Sequence, residues 1–478
     1  MTRCLALGLA ILLAVPRATL PATAEQELGR RFFLEARGQL PLIEDPAVVE
    51  YVRALCQKLV DTLGSQEFDY QVFVVAHPSL NAFAVPGGYL FLFSGLVARA
   101  ATDDEIAGVL GHEIAHVHAH HILRQQTAGA VWTAAALAGL LLSAINPVLG
   151  AAGVAAAQTA MLQYSREFEQ EADFLGLRIT SEAGYDPHAL GAFFKQLLVE
   201  QRLNPAGVPP YMLSHPVTED RVAKVDSVIR AQKLRTPAGR PHTSLELEEV
   251  RAVTSAHNEP AAIVSARYEQ AVAERPRDPT AHFLLGRVYQ TIGKLEAART
   301  ALEEARTLGI GPRVDRPLGM VYLGLKQPAL ARTTLEAHLS RRPNDPFARL
   351  ELGKAYSDAG DEAAALREFQ RALRLDPSLD DAHRRLGLIF GRTGDQAQGF
   401  YHLAVAARLR GDLEQAYRHF LRTEELLPKD SRQREEVRGA LEELEPLVRD
   451  RVRARRSDRR IRTQPRFPAA STMVPALR

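Results

Sequence analysis

Apolar residues recur along this chain in two rhythms. The first is local. Ile106, Ala107, Val109, Leu110, Ile114 and Val117 fall at helical spacing, and Thr102-Asp103-Asp104-Glu105 ahead of them reads as a capping box that starts the helix. Another helix is expected over Val48–Leu63, and Phe68–Val75 carries the β-branched and aromatic residues of a strand. Asn81–Val85 and Tyr89–Phe93 flank Pro86-Gly87-Gly88, a hairpin signal. The second rhythm is long. Leu285-Gly286, Tyr289, Ala298, Leu302 and Ala305 recur as Leu318-Gly319, Tyr322, Ala331, Leu335 and Pro343. They recur again as Leu352-Gly353, Tyr356, Ala365, Phe369, Ala372 and Pro377. Leu386-Gly387 opens a further unit, Ala416, Phe420 and Pro428 close a last one, and Arg267–Pro276 reads as half a unit at the front.

The long period is that of 34-residue tetratricopeptide repeats, which stack into a curved solenoid whose concave face binds protein segments. A mainly α chain is expected: an α+β domain with a small sheet, then an all-α solenoid. The boundaries read as signal peptide 1–24, first domain 25–236, linker 237–259, repeats 260–447 and a basic, disordered tail 448–478. Residues 1–24 carry Arg3, an apolar run from Leu5 to Val15 and an Ala22-Thr23-Ala24 cleavage site, so export is expected; an uncleaved anchor competes with it. Cys4 leaves with the signal, and Cys56 alone cannot form an internal disulfide. Basic and acidic residues nearly balance, 59 against 57, so no nucleic-acid partner is implied. The uncharged stretch Thr127–Leu162, divided by Asn146-Pro147, admits three readings: a buried helical hairpin, a peripheral contact with membrane or an apolar partner, and a span.

The chemistry concentrates in His112-Glu113-Ile114-Ala115-His116. Two histidines four apart lie one above the other on a helix and offer a metal two imidazoles; Glu113 beside them is placed to act as general base. A zinc hydrolase needs a third protein ligand and an open position. Glu169 supplies that ligand best, and Asp173, four residues on, can accept the second N–H of a ligand histidine. Ala172 and Gly176 border that face and admit another helix closely, whereas Glu171 points elsewhere. The competing reading is a solvated acidic stretch. One Zn2+ per chain, held by His112, His116 and Glu169, is expected. The hairpin is the candidate for holding a substrate backbone in extended form.

At these residues the chain resembles the HtpX/CaaX-prenyl-protease type of zinc metallopeptidase, from Asn81–Gly88 through HExxH and the ExxxD segment to Ser214-His215-Pro216-Val217 and Arg221. With its repeats it is similar to the periplasmic beta-barrel assembly-enhancing type. That resemblance implies a periplasmic zinc endopeptidase that cuts unfolded or misassembled outer-membrane proteins, with the solenoid holding clients and contacting the outer-membrane assembly machinery. The rival reading is an assembly factor whose proteolysis is secondary or latched. One departure stands out: His120-His121 replaces the Arg-His of the family. The prolines around His215 suggest a loop, which the resemblance places over the metal. His215 is then either a fourth ligand that latches the enzyme, the favoured role, or a catalytic donor to the oxyanion, with Arg221 a second cation nearby.

Overall fold

The computed structural model describes residues 24–126, 164–203, 210–235 and 243–463. The signal-peptide reading of 1–24, the apolar stretch 127–162 and the end of the tail lie outside those residues, apart from single flanking positions. No helix among the described residues is long and apolar enough to cross a membrane.

Helices α1 (Ala24–Arg37) and α2 (Pro46–Val60) precede the sheet. Asp45 caps α2 by accepting from the Ala47 amide, and Pro46 occupies the first turn, where a missing N–H costs nothing. Three strands follow, β1 (Gln71–Val75), β2 (Ala82–Val85) and β3 (Tyr89–Phe93), in spatial order β1-β3-β2. β1 runs parallel to β3, and β2 pairs antiparallel with it. β1 is shorter than its composition suggests because its ladder begins where β3 begins, at the pair Gln71–Tyr89. The expected hairpin forms, and Gly87 and Gly88 turn it with φ of 79° and 91°, a region side chains rarely enter. Alternation along β3 divides the core. Phe91 and Phe93 join Phe32 of α1, whereas Leu90 and Leu92 face α4 (Asp103–His118).

Short helices α3 (Ser94–Arg99) and α5 (His121–Gln126) flank α4; α6 (Arg166–Glu182), α7 (His188–Leu203), α8 (Pro210–Ser214) and α9 (Glu219–Gln232) complete the first domain. The expected linker is largely structured. Its residues Leu245–Asn258 form α10, whose Leu247, Val250 and Val253 lie in the first domain's core while Ala252 packs with Val264 and Val288 of the repeats. One helix therefore belongs to both domains.

From α11 (Ala261–Glu274) onward the chain is a solenoid of helix pairs: Pro279–Thr291 with Leu295–Thr307, Asp315–Gly324 with Pro328–Arg341, Pro346–Asp358 with Glu362–Leu375, and Asp380–Thr393 with Gln396–Leu409. The recurring glycine explains itself. A Cβ on Gly286, Gly319, Gly353 or Gly387 would stand 2.5–2.7 Å from Leu302, Leu335, Phe369 or Leu403 of the paired helix. Helix Leu413–Leu426 follows, and the final helix, Arg432–Thr463, carries the basic stretch from 448 onward, so the expected disordered tail begins as helix.

The solenoid wraps the first domain rather than projecting from it. Leu34 of α1 sits among Ala404, Leu413, Phe420 and Leu444. Along α2, Arg287 bonds both carboxylate oxygens of Asp45 at 2.8 Å and Glu249 at 2.8 Å. Arg316 likewise joins Glu50 (2.6 and 2.8 Å) to Asp345 (2.8 Å).

Candidate metal centre

The capping box starts α4 in a modified form. Thr102 Oγ1 accepts from the Glu105 amide at 3.2 Å, and Glu105 reaches back to the Ala101 amide at 2.8 Å, one residue before the strict pattern. From that fixed start, His112, Glu113 and His116 fall on the buried side. α6 crosses them where neither helix has a side chain: a Cβ on Gly176 would lie 2.9 Å from the His112 Cα, and one on Gly111 2.6 Å from Thr180 Oγ1. Gly111, not singled out from the sequence, is half of this close approach.

The crossing brings the expected residues together. His112 Nε2 and His116 Nε2 lie 3.1 Å apart, with Glu169 oxygens 3.5 and 3.6 Å from them. His215 joins them from the far side, its Nδ1 3.0 Å from Glu169 Oε1 and 3.4 Å from His112 Nε2. One donor atom from each of these four buried residues lies within 4.8 Å of the others. His215 does not sit in an open loop. It follows α8 directly, its amide bonded to the Tyr211 carbonyl at 2.8 Å and its ring stacked on that of Tyr211.

Glu113 stands beside this cluster, its Oε1 3.6 Å from His215 Nε2, and neither of its buried carboxylate oxygens has a hydrogen-bond partner. Burial pushes its carboxyl up, against the pull of His215 and His112. The backbone of Ala84, on the edge strand β2, also faces it. His112 is opposed by burial, yet Asp173 and Glu169 push it up to about 9. Burial holds His116 well below its ordinary value, and the neighbouring His112 adds to this.

Behind these residues, Asp173 Oδ1 lies 3.1 Å from His112 Nδ1. Arg221, which the donor alternative for His215 would use as a second cation, is committed elsewhere. Its Nε and Nη2 grip Asp173 at 3.0 and 2.8 Å, and Nη1 lies 2.7 Å from Glu169. His121 was noticed in the sequence only as part of a departure; it lies buried with Nδ1 2.9 Å from His116 Nδ1. Tyr164, whose ring lies 4.0 Å from that of His116, carried no signal at all.

Two imidazoles, a third from His215, and a carboxylate beside a partnerless buried carboxylate form a donor set that fits a divalent metal. Comparison with known proteins agrees. Residues 46–229 match the model of peptidase family M48, and residues 265–312 and 353–394 match tetratricopeptide repeat models. The chain thus carries an M48 peptidase domain joined to tetratricopeptide repeats.

Among named relatives, a putative beta-barrel assembly-enhancing protease of Vibrio cholerae is 32% identical over 68% of this chain and 62% of its own length. The beta-barrel assembly-enhancing protease of Escherichia coli is 32% identical over 46% of each chain. A mitochondrial metalloendopeptidase of Schizosaccharomyces pombe is 28% identical over 37% of this chain and 51% of its own. The chain therefore spans less than two thirds of the length of these relatives.

Proposed function

We propose that the protein is an exported zinc endopeptidase in which His112, His116 and Glu169 hold one zinc ion and Glu113 is the general base. The supporting observation is the buried set of donor atoms within 4.8 Å, with Glu113 partnerless alongside. Zinc bound there supplies Lewis-acid polarisation of the scissile carbonyl and acidifies the attacking water. Glu113 accepts the proton of that water and returns it to the leaving amine; its burial keeps its affinity for a proton high. Asp173 orients His112, and Arg221 holds Asp173 and Glu169 in place. The edge strand β2 lies beside Glu113 and offers its backbone to an extended substrate.

The substrates are unfolded or misassembled outer-membrane proteins in the periplasm, recruited through the solenoid, which also contacts the outer-membrane assembly machinery. The names of the relatives and the repeats support this reading. The signal peptide, cleaved near Ala24, delivers the chain there, and residues 127–162 are the candidate for peripheral membrane contact.

Glu113→Gln tests the centre. The variant should keep about one zinc and lose roughly a hundredfold or more in peptide hydrolysis, as removal of a general base does; full activity would refute the assignment. The same variant, immobilised, should retain uncut clients and so identify them.

A second reading, an assembly factor with latched proteolysis, draws support from His215. Its Nδ1 lies among the donor atoms, where a fourth ligand would exclude the attacking water. The donor role is less well served, because Arg221 is occupied by two carboxylates. His215→Ala should raise proteolysis, self-cleavage included. A clear fall in turnover with zinc retained would instead make His215 a catalytic donor.

A further inference from the structure

His116 has two ring nitrogens, and the centre uses one. Its Nε2 faces His112 and Glu169, whereas its Nδ1 points away and lies 2.9 Å from Nδ1 of His121. His121 is completely buried, and its Nε2 stands 3.2 Å from Glu171 Oε2 at the rim. The same carboxylate oxygen accepts from Arg124 at 2.9 Å. Phe168 fixes both partners: the His121 ring stacks on it at 4.6 Å and the Arg124 guanidinium lies over it at 4.7 Å. The other histidine of the α4 pair has a parallel arrangement, His112 to Asp173 to Arg221.

We propose that His121 and Glu171 form a relay that positions His116, so that α6 supplies not only a ligand but the acid behind each of the two α4 histidines. The inference rests on the zinc reading above. Proton bookkeeping gives the relay one direction. A nitrogen that binds metal carries no proton, so His116 carries its proton on Nδ1 and donates it to His121 Nδ1. His121 then carries its own proton on Nε2 and donates it to Glu171. Each hydrogen has one acceptor, which fixes the tautomer and ring angle of His116 and makes Nε2 a better donor to metal. A histidine that only filled space would not need partners for both of its nitrogens; here both are matched within 3.2 Å. Glu171 lies two positions from Glu169 and hence on another side of α6. The relay reaches round the helix through α5 to use it.

The test uses the full chain and reads zinc affinity by competition with a chelator, the absorption spectrum of the cobalt-substituted protein, and melting of the metal-free protein. His121→Ala should weaken zinc binding roughly ten- to a hundredfold and shift the cobalt bands. His121→Asn, whose amide oxygen can still accept from His116 Nδ1, should recover most of the loss. Glu171→Gln should produce a smaller fall that adds nothing to His121→Ala, since the relay is already broken. Zinc affinity within about twofold of the parent in His121→Ala would overturn the proposal. So would His121→Asn no better than His121→Ala, or additive losses. Should His121→Ala fail to fold, Glu171→Gln at the half-exposed rim decides: an unchanged affinity and cobalt spectrum overturn the relay. A parent chain that takes up no zinc would sink the reading of the centre itself. A parent that binds beside an equally tight His121→Ala variant sinks only the relay.

Discussion

Two of the places where charge is buried are built differently. Where the solenoid meets α2, each acid meets a base: Asp45 and Glu249 share Arg287, and Glu50 and Asp345 share Arg316, with His338 also 2.8 Å from Asp345. At the metal centre, Arg221 answers Asp173 and Glu169, yet Glu113 meets only a 3.6 Å approach from His215 and three imidazoles crowd one carboxylate. A self-satisfied network holds two parts of a chain together; one left short of partners is built to receive something else.

Breaking the first network should be the larger effect on stability. Arg287→Ala would leave Asp45 and Glu249 buried without their cation, at a cost of about 3–5 kcal/mol, with zinc affinity unchanged. Denaturant titration and chelator competition on the same sample check both halves, and a loss below about 1 kcal/mol would place the network at the surface in effect. Cutting the chain after residue 236 should be comparably damaging, because it strips Leu247, Val250 and Val253 of α10 from the first domain's core. The peptidase domain is better isolated by a cut beyond Asn258.

At the metal centre, Asp173→Ala should lower zinc affinity roughly ten- to a hundredfold while costing less in folding than Arg287→Ala. Equal zinc affinity would remove Asp173 from its place behind His112.

The smallest effect is a pH dependence of the metal-free protein. His112 is pushed up to about 9 by Asp173 and Glu169 against its burial. A raised value means that the protonated form is favoured by folding. That stabilisation is complete below about pH 6.5, the unfolded value, and is lost as pH rises through about 9. Metal-free protein should therefore melt lower at pH 9 than at pH 6.5, and His112→Gln should flatten that trend. A parent profile with no such fall would contradict the contact with the two acids.

Features set by local backbone geometry or by a fixed repeat length were legible in the sequence. The HExxH pair, the Glu169–Asp173 face, the glycine hairpin and the repeat period all express the pitch of a helix, the pleat of a strand or a fixed helix-pair length. Gly176 was readable as a close-approach site because small residues on one helical face have few other uses.

Tertiary packing decided the rest, through contacts between residues far apart in the chain. His215 reaches His112 across 103 positions and Arg287 reaches Asp45 across 242, and no local rhythm records either. His121 drew no notice beyond its place next to His120, where the family's arginine is missing, until packing put its Nδ1 on His116, and Glu171 looked idle until α5 carried that ring to it. Arg221 entered the donor alternative as a second cation because charge is visible in a sequence and pairing is not. The stretch 237–259 read as a linker from the Pro/Gly run at its start, whereas α10 begins after that run and is held by two cores at once. Composition reports what a segment can bury. Only the assembled chain determines what it is buried against.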